Sequence, residues 1–183
     1  MEPNAPSDAP SPEMLRRAFG SFATGVAIIG ALGADGDMAG MTVNSLTSVS
    51  ISPPLILFCA ARSLIAFDVY ATTQNFSISI LSKQSEAISN HFARSGIDKW
   101  KTVPHRFGKN GAPYLDNALA TLECAAVDRH EAGDHLIVLG RVMHLNVSRP
   151  GEPLVFFRSQ YRSLEQNAHS VAPGAQSPFE PWG

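Results

Sequence analysis

A series of short apolar or alternating runs, separated only by short helices, is the feature that most limits how this chain can fold. The runs that predict strands span 26–32, 38–45, 55–60, 75–81, 119–130, 135–147 and 154–157. Asp35-Gly36 is typical of a hairpin turn. Because strands and helices do not alternate regularly, the pattern favours a mainly β fold, an antiparallel barrel with short flanking helices, over a parallel α/β sheet.

The run 75–81, NFSISIL, shows the clearest strand pattern. Its apolar residues alternate with Ser77 and Ser79. This period of two predicts a strand with one buried face and one solvent-facing face.

Serine residues mark the predicted helix starts. Ser11 is followed by Pro12 and Glu13, which combines a capping side chain, a proline at the first helical position and an acid in the first turn. Two further caps, with the helices that they are predicted to begin, are Ser63 with 64–70 and Ser82 with 84–93.

Length and composition fit one globular domain. The chain has 183 residues, of which 44% are hydrophobic and 16% charged. We place the domain at 11–165, between a disordered tail at 1–10 and a flexible tail at 166–183, both rich in Pro, Ala and Ser. Residues 94–118 are expected to form a long connection, and connections of that length are often functional.

The charge and the cysteines exclude several classes of function. A net charge of −2 and the absence of a long basic run argue against nucleic acid as the main partner. No apolar run reaches the length of a membrane span, and the acidic, Pro-rich start does not look like a signal peptide. Cys59 and Cys124 lie in apolar runs, so we expect reduced thiols in a cytoplasmic protein. Neither has a Cys or His neighbour at metal-ligand spacing, so no metal site is expected.

The stretch 41–54, MTVNSLTSVSISPP, is dense in small hydrogen-bonding side chains. Hydroxyls and backbone N–H groups in such a turn can form a concave cradle for an anion without any Lys or Arg. A polar strand edge followed by a loop is the other interpretation of these residues. Pro53-Pro54 ends the stretch because proline cannot continue a hydrogen-bonded ladder.

Five segments, in this order and at this spacing, resemble the flavin reductase family, the small NAD(P)H:flavin oxidoreductases that serve two-component monooxygenases. They are FGSFATGVAII (19–29), GMTVNSLTSVSISPPLILFCA (40–60), NFSISIL (75–81), GDHLIVLGRV (133–142) and LVFFRSQYRSL (154–164). The resemblance implies a split β-barrel, a homodimer and a non-covalent FMN or FAD.

The resemblance also implies which residues contact the flavin. The hydroxyl-rich stretch would run along the ribityl chain and phosphate, with Ser45, Thr47 and Ser48 as the phosphate donors. The residues carried over from this stretch are Thr42, Asn44, Ser45, Leu46, Thr47, Ser48 and Val49. In the next segment Cys59 and Ala60 are expected to contact the cofactor. Arg62 and Ser63 would reach the phosphate or, for FAD, the diphosphate, because a strand end that meets a helix N-terminus is a natural anion site. An exposed charge on a turn is the other interpretation of Arg62. Phe92 is expected to form a wall of the ring site.

Two further motifs are assigned by the resemblance to the nicotinamide side. Gly133, Asp134 and His135 match the family's GDH motif, in which the histidine faces the nicotinamide or the flavin edge. His135 is therefore the candidate catalytic residue. In the last segment Tyr161 would stack near the rings, and Arg158 or Arg162 would pair with NAD(P)H phosphates.

These observations predict an NAD(P)H-dependent flavin reductase that supplies reduced flavin to a partner monooxygenase. No G-x-G-x-x-G sequence links a strand to a helix, so we expect NADH or NADPH to lie folded over the flavin instead of on a Rossmann unit. Two alternatives remain at this stage. One is a flavin-binding carrier or sensor without turnover, and the other is an unrelated barrel that binds no flavin.

Overall fold

The computed structural model describes residues 9–96, 98–147 and 150–164. The helices are α1 (Pro12–Phe19), α2 (Phe67–Thr72) and α3 (Glu86–Ala93), with short 3-10 helices at Lys83–Ser85 and Lys99–Thr102. The strands are β1 (Thr24–Gly25), β2 (Ala27–Leu32), β3 (Met38–Val43), β4 (Thr47–Ser50), β5 (Leu55–Ala61), β6 (Asn75–Ile80), β7 (Arg106–Phe107), β8 (Pro113–Tyr114), β9 (Ala120–Ala132), β10 (His135–Val147), β11 (Val155–Phe157) and β12 (Gln160–Arg162). No helix in these ranges is long and apolar enough to cross a membrane.

Seven strands form one antiparallel sheet in the order β3-β2-β6-β9-β10-β5-β4. β3 and β4 lie at opposite edges of this sheet, yet only residues 44–46 join them. Such a link spans at most about 15 Å, whereas the edges of seven flat strands would lie roughly 29 Å apart. The sheet must therefore curl until its edges approach each other, which confirms the expected split barrel.

The longest pairing in the sheet is the hairpin of β9 and β10. Each strand has 13 residues, and the turn between them uses Gly133 at a φ of +64°. β10 also pairs with β5 over residues 135–141. Beyond Arg141 the same side of β10 has no strand partner among the described residues.

Strand β6 differs from the sequence-based expectation. Ser77 and Ser79 are as deeply buried as the apolar residues Phe76 and Ile78, so both faces of the strand are covered. The connection after α3 supplies the cover. The Ser77 hydroxyl donates to the carbonyl oxygen of Pro113, and the Ser79 hydroxyl accepts the N–H of Leu115 at 3.0 Å. Residues 98–118 thus pack against the barrel through buried residues such as Trp100 and Leu115, and they contain a 3-10 helix and the β7–β8 pair.

The structure confirms some of the predicted helix caps and not others. The Ser11 cap is confirmed, since its hydroxyl accepts the N–H of Met14 at 3.2 Å. The Ser63 cap is wrong, because α2 begins at Phe67 and no side chain caps it. Ser82 precedes a 3-10 turn, and its hydroxyl pairs with that of Ser85 at 3.1 Å.

Two apolar clusters fill the molecule. The barrel interior holds the edge-to-face rings of Phe58 and Phe76, 5.1 Å apart, together with Tyr70. The second cluster lies where α3 and the long connection pack against the barrel, around Phe92 and Trp100. The indole N–H of Trp100 donates to the carbonyl oxygen of Ala39 at 2.8 Å, which ties the connection to β3.

Both cysteines are free. Cys124 is buried, and burial followed by the charge of Glu123 raises the pKa of its thiol to about 12. Cys59 is half-buried. The part of the chain that the structure describes contains no cluster of ligands suited to a metal ion.

Gly30 tests how tightly the connection packs on the barrel. A Cβ there would collide with the carbonyl oxygen of Pro113 and lie 2.7 Å from the Ser77 hydroxyl. We expect Gly30→Ala to lower the free energy of unfolding by about 2 kcal/mol or more, because overpacking forces backbone shifts. Chemical denaturation measures the change. Gly25→Ala is the matched control, since nothing lies within 4 Å of its Cβ position; an equal loss in both variants would contradict this interpretation.

Candidate active site

The end of the barrel brings together two motifs that lie about seventy positions apart in the sequence. Ala61, the last residue of β5, pairs with His135, the first residue of β10. The N–H of Arg62 then donates to the carbonyl oxygen of Asp134 at 2.9 Å. The strand register therefore places Arg62 and Ser63 beside the Gly133-Asp134-His135 turn, and we call this group the rim cluster.

Within the rim cluster the imidazole of His135 is held by its neighbour. Its Nδ1 lies 2.7 Å from the carboxylate of Asp134. That hydrogen bond, followed by attraction to a charged ring, holds the pKa of the Asp134 carboxyl below its usual range. About two fifths of the His135 side chain stays exposed (43%), so the ring is oriented and still accessible.

Arg62 is held from two sides. It forms an ion pair with Glu131 and stacks its guanidinium 5.5 Å from the ring centroid of Phe67. Both groups are substantially exposed, so the pair fixes the direction of the side chain more than it stabilises the fold. The guanidinium of Arg62 therefore stays in the rim cluster, at the end of the barrel.

The hydroxyl-rich stretch does not form a single cradle. Thr47 and Ser48 are successive residues of strand β4, so their side chains point to opposite sides of the sheet. The hydroxyl of Ser45 accepts the N–H of Cys59 at 3.0 Å and so ties the β3–β4 link to β5. The turn expected in this stretch is confined to residues 44–46, because residues 47–50 pair with β5 as a strand.

A cleft of about 460 Å³ lies next to the rim cluster and shares Ser63 with it. One wall is the open edge of β3, at 38–41. The other walls are the turn and helix after Ser63 and the end of α3 with the segment that follows it. The charged residues that line the cleft are Asp37, Arg94, Asp98 and Lys99. A volume of this size is typical of a small-molecule site.

Lys99 is an anchored cation in the wall of the cleft. Its ammonium donates to the carbonyl oxygen of Gly40 at 3.1 Å and to that of Phe92 at 2.8 Å. Burial lowers the pKa of this group. Neither Lys99 nor Arg94 was among the residues singled out from sequence. The signal available in the sequence was their position in the long connection at 94–118.

The remaining candidate residues are dispersed. Phe92 is only 1% exposed and packs on Trp100, so its ring is not presented to the cleft, contrary to the prediction. The Thr42 hydroxyl donates to the carbonyl oxygen of Ser89, a contact within the fold. Ala60 is fully buried, Leu46 packs against the core, and Asn44 and Val49 are exposed.

The C-terminal aromatic-basic segment, residues 157–162, lies apart from the rim cluster and from the cleft. The hydroxyl of Tyr161 is 2.8 Å from that of Ser89, and the guanidinium of Arg162 donates to the side chain of Gln160. None of these residues lines the cleft or contacts His135 in the described chain. The expected place of Tyr161 near the rings stays a prediction.

Residues 19–165 match the family model described as a flavin reductase like domain. A probable flavin reductase of Rhizobium meliloti is 44% identical over 131 residues, which are 72% of this chain and 42% of that relative. The reductase subunit of a flavin-dependent monooxygenase of Rhodococcus jostii is 30% identical over 91% of this chain and 85% of that protein.

The fold matches as well as the sequence. A solved NADH:FAD oxidoreductase of Streptomyces globisporus, in complex with NAD and FAD fragments, superposes with a TM-score of 0.81 at 35% identity, covering 88% of this chain and 99% of that one. Since the family model spans residues 19–165, which include the barrel, the rim cluster and the cleft, the chain belongs to the flavin reductase family.

Proposed function

We propose that this protein is an NAD(P)H-dependent flavin reductase whose reduced FMN or FAD is passed to a partner monooxygenase. The observation that carries the proposal is the junction of the rim cluster and the cleft at Ser63, in a chain of this family. This junction sets an oriented histidine beside a cavity of small-molecule size.

The residues of the cleft fit a flavin. Leu64 and Ile65 offer apolar surface to the ring system, and strand β3 forms another wall of the cleft. The phosphate would be held by Ser63, Arg94 and Lys99. This assignment moves the phosphate from Thr47 and Ser48, which lie on an exposed edge strand, to the part of the cleft that Arg94 and Lys99 line.

Bound there, the flavin supplies the chemistry, which is acceptance of a hydride from the nicotinamide. The protein holds the donor and acceptor in place. Asp134 fixes the imidazole of His135 through Nδ1, so its other nitrogen can hydrogen-bond the nicotinamide carboxamide or the flavin edge. Arg62, directed by Glu131 and Phe67, offers a cation to the phosphates of either molecule.

A homodimer completes this proposal. Met143, Leu145 and Val147 are more than half exposed, on the part of β10 that has no strand partner on one side. An unpaired edge with an apolar face is a surface that proteins cover. A two-fold partner is the commonest cover of such an edge. The cytoplasm, which keeps thiols such as Cys59 reduced, is the proposed compartment.

The reaction and the role of His135 are tested together. We expect the protein to oxidise NADH or NADPH when FMN or FAD is added. His135→Ala should lower this rate by about a hundredfold, because small misplacements of reacting atoms are costly, while flavin affinity changes little. Flavin binding without any NAD(P)H oxidation by the wild-type protein would indicate the carrier or sensor instead.

The same variant carries an internal check on geometry. Without the His135 hydrogen bond, the pKa of Asp134 should rise towards its ordinary value, which carboxyl-carbon NMR can follow. The contact stabilises the folded protein at pH values above the ordinary aspartate pKa. This stabilisation is lost as the pH falls through the lowered pKa of Asp134. An unchanged Asp134 titration would show that the two side chains do not interact in solution.

The phosphate site is tested by comparing FMN with riboflavin, which lacks the phosphate. We expect Ser63→Ala and Arg94→Gln each to weaken FMN binding about tenfold, since each removes a charge-assisted bond. Riboflavin binding should be unchanged. Thr47→Ala and Ser48→Ala are the controls. Titration of flavin fluorescence decides between the sites, because loss of FMN affinity in the controls alone would return the phosphate to the hydroxyl-rich stretch.

The dimer is tested by light scattering at micromolar concentration. We expect a mass near twice 19.6 kDa for the wild-type protein. Leu145→Asp should shift it towards the monomer, because a charge would be buried in an apolar interface. Asn117→Asp, on the exposed part of the connection, is the control. A wild-type mass near that of one chain would contradict the proposal.

A further inference from the structure

Helix α1 turns its polar face towards the rest of the chain. A cavity of about 480 Å³ separates α1 from the turn between β11 and β12. The helix and its C-terminal cap line this cavity with residues of one face, Glu13, Arg16, Arg17 and Gly20. The N–H of Arg158 in the turn donates to the carbonyl oxygen of Gly20 at 2.8 Å, which holds the hairpin against the end of the helix.

The opposite face of α1 is apolar and exposed. With 3.6 residues per turn, Met14, Leu15 and Phe19 lie on the side opposite to Glu13. Phe22 follows one turn later, since its N–H donates to the carbonyl oxygen of Phe19 at 3.0 Å. The exposed fractions are 63% for Met14, 71% for Phe19 and 76% for Phe22. We call Met14, Leu15, Phe19 and Phe22 the α1 face.

An apolar face of this kind needs a cover. Amphipathic helices of globular proteins normally bury their apolar stripe, and contiguous exposed apolar surface marks a binding site. In this protein the polar face of the helix meets the hairpin, and no side chain of α1 is buried. The described residues of the chain therefore leave the α1 face without a cover.

The chain itself supplies a segment that can reach the α1 face. Residues 165–183 follow directly on the described chain, and Leu164 comes five residues after Ser159, in the turn that contacts α1. Leu164 is therefore at most about 18 Å from Ser159. A segment as long as 165–183 spans roughly 25 Å on average as an unfolded chain, whereas α1 is about 12 Å long.

The composition of this segment fits the α1 face. Its aromatic residues are Phe179 and Trp182, and each follows a proline. Proline favours an extended, polyproline-like backbone, in which residues three apart lie on the same side, about 9 Å from each other. Because the rise along α1 from Met14 to Phe19 is about 8 Å, two rings at this spacing match the length of the face. Residues 1–10, by contrast, contain no aromatic residue to anchor them there.

The charges of the segment and the helix are complementary. Residues 165–183 contain Glu165 and Glu180 and no Lys or Arg. Arg16 and Arg17 lie in the last turn of α1, on either side of the α1 face. Glu180 stands between the two aromatic residues, so docking of their rings brings its carboxylate towards the arginines. Such charges at the rim of an apolar contact fix its orientation more than they raise its affinity.

We propose that residues 178–182, PFEPW, dock on the α1 face of their own chain. The two aromatic rings cover the apolar side chains, and the two prolines limit the conformational entropy that docking costs. The α1 face lies outside the cleft and the rim cluster. The contact is therefore independent of the proposed reductase activity, and its test requires neither flavin nor nicotinamide.

Tryptophan fluorescence of the full chain tests the contact, with acrylamide as the quencher. Trp100 is fully buried, so the emission that acrylamide reaches comes from Trp182 when its ring is free. In the wild-type protein we expect Trp182 to be shielded. Phe19→Ala and Phe22→Ala should each lower the ratio of docked to free segment about tenfold, because each removes a ring from the contact. Trp182→Phe, which keeps only Trp100, gives the baseline.

Phe107→Ala is the matched control. Phe107 is also an exposed phenylalanine (54%), but it lies on β7, so its replacement should leave the quenching of Trp182 unchanged. Since neither Phe19 nor Phe22 is buried, their variants should keep the fold, which thermal unfolding checks. Phe179→Ala removes a ring from the other side of the contact and should release Trp182 as well, so the proposal stays testable where an α1 variant does not fold.

Three results would overturn the proposal. The first is quenching of Trp182 in the wild-type protein as efficient as that of a tryptophan amide in solution. The second is shielding that persists in both Phe19→Ala and Phe22→Ala, which would place the ring on another surface. The third is shielding that is lost on dilution or in Leu145→Asp, which would mean that a second copy of the chain takes part in the contact.

Discussion

The three-residue link between β3 and β4 is the constraint on which the rest of the barrel depends. It joins opposite edges of a seven-stranded sheet and so forces the curl that encloses Phe58, Tyr70 and Phe76. The hydroxyl of Ser45, within the link, accepts the N–H of Cys59 and fixes where the closing strand meets β5. The polar stretch 41–54, which the sequence suggests as an anion site, thus contains the residues that close the barrel.

The geometry of the barrel mouth follows from strand register. Ala61 pairs with His135, and a slip of one residue would turn the histidine to the other face of the sheet. The β9–β10 hairpin sets this register over many pairs, so the position of the imidazole rests on pairings far from it along the strands. The cleft depends on a different set of contacts, in which Lys99 bonds to β3 and to the end of α3.

The sequence was sufficient for most strands and for the barrel, because strand periodicity and motif order survive folding. The meeting of the GDH motif with Arg62 and Ser63 was not predicted, since it depends on the register of β10 with β5. The sequence was also insufficient where one segment covers another. Alternation in β6 predicted an exposed polar face, yet Ser77 and Ser79 are buried by a connection that has no strong pattern of its own. Lys99 and Arg94 were missed for the same reason, and Phe92 was placed at the ring site although helix α3 turns it into the core.

The buried hydroxyls of β6 also bear on how the molecule fluctuates. If the connection at 98–118 lifted away alone, Ser77 and Ser79 would keep their polar groups inside the protein without the carbonyl of Pro113 and the N–H of Leu115. Leaving buried polar groups unpaired is costly, so such partial opening is disfavoured relative to opening that admits water to the strand as well. The connection and the central strand are therefore expected to behave as one cooperative unit in hydrogen exchange, although they are far apart in the chain.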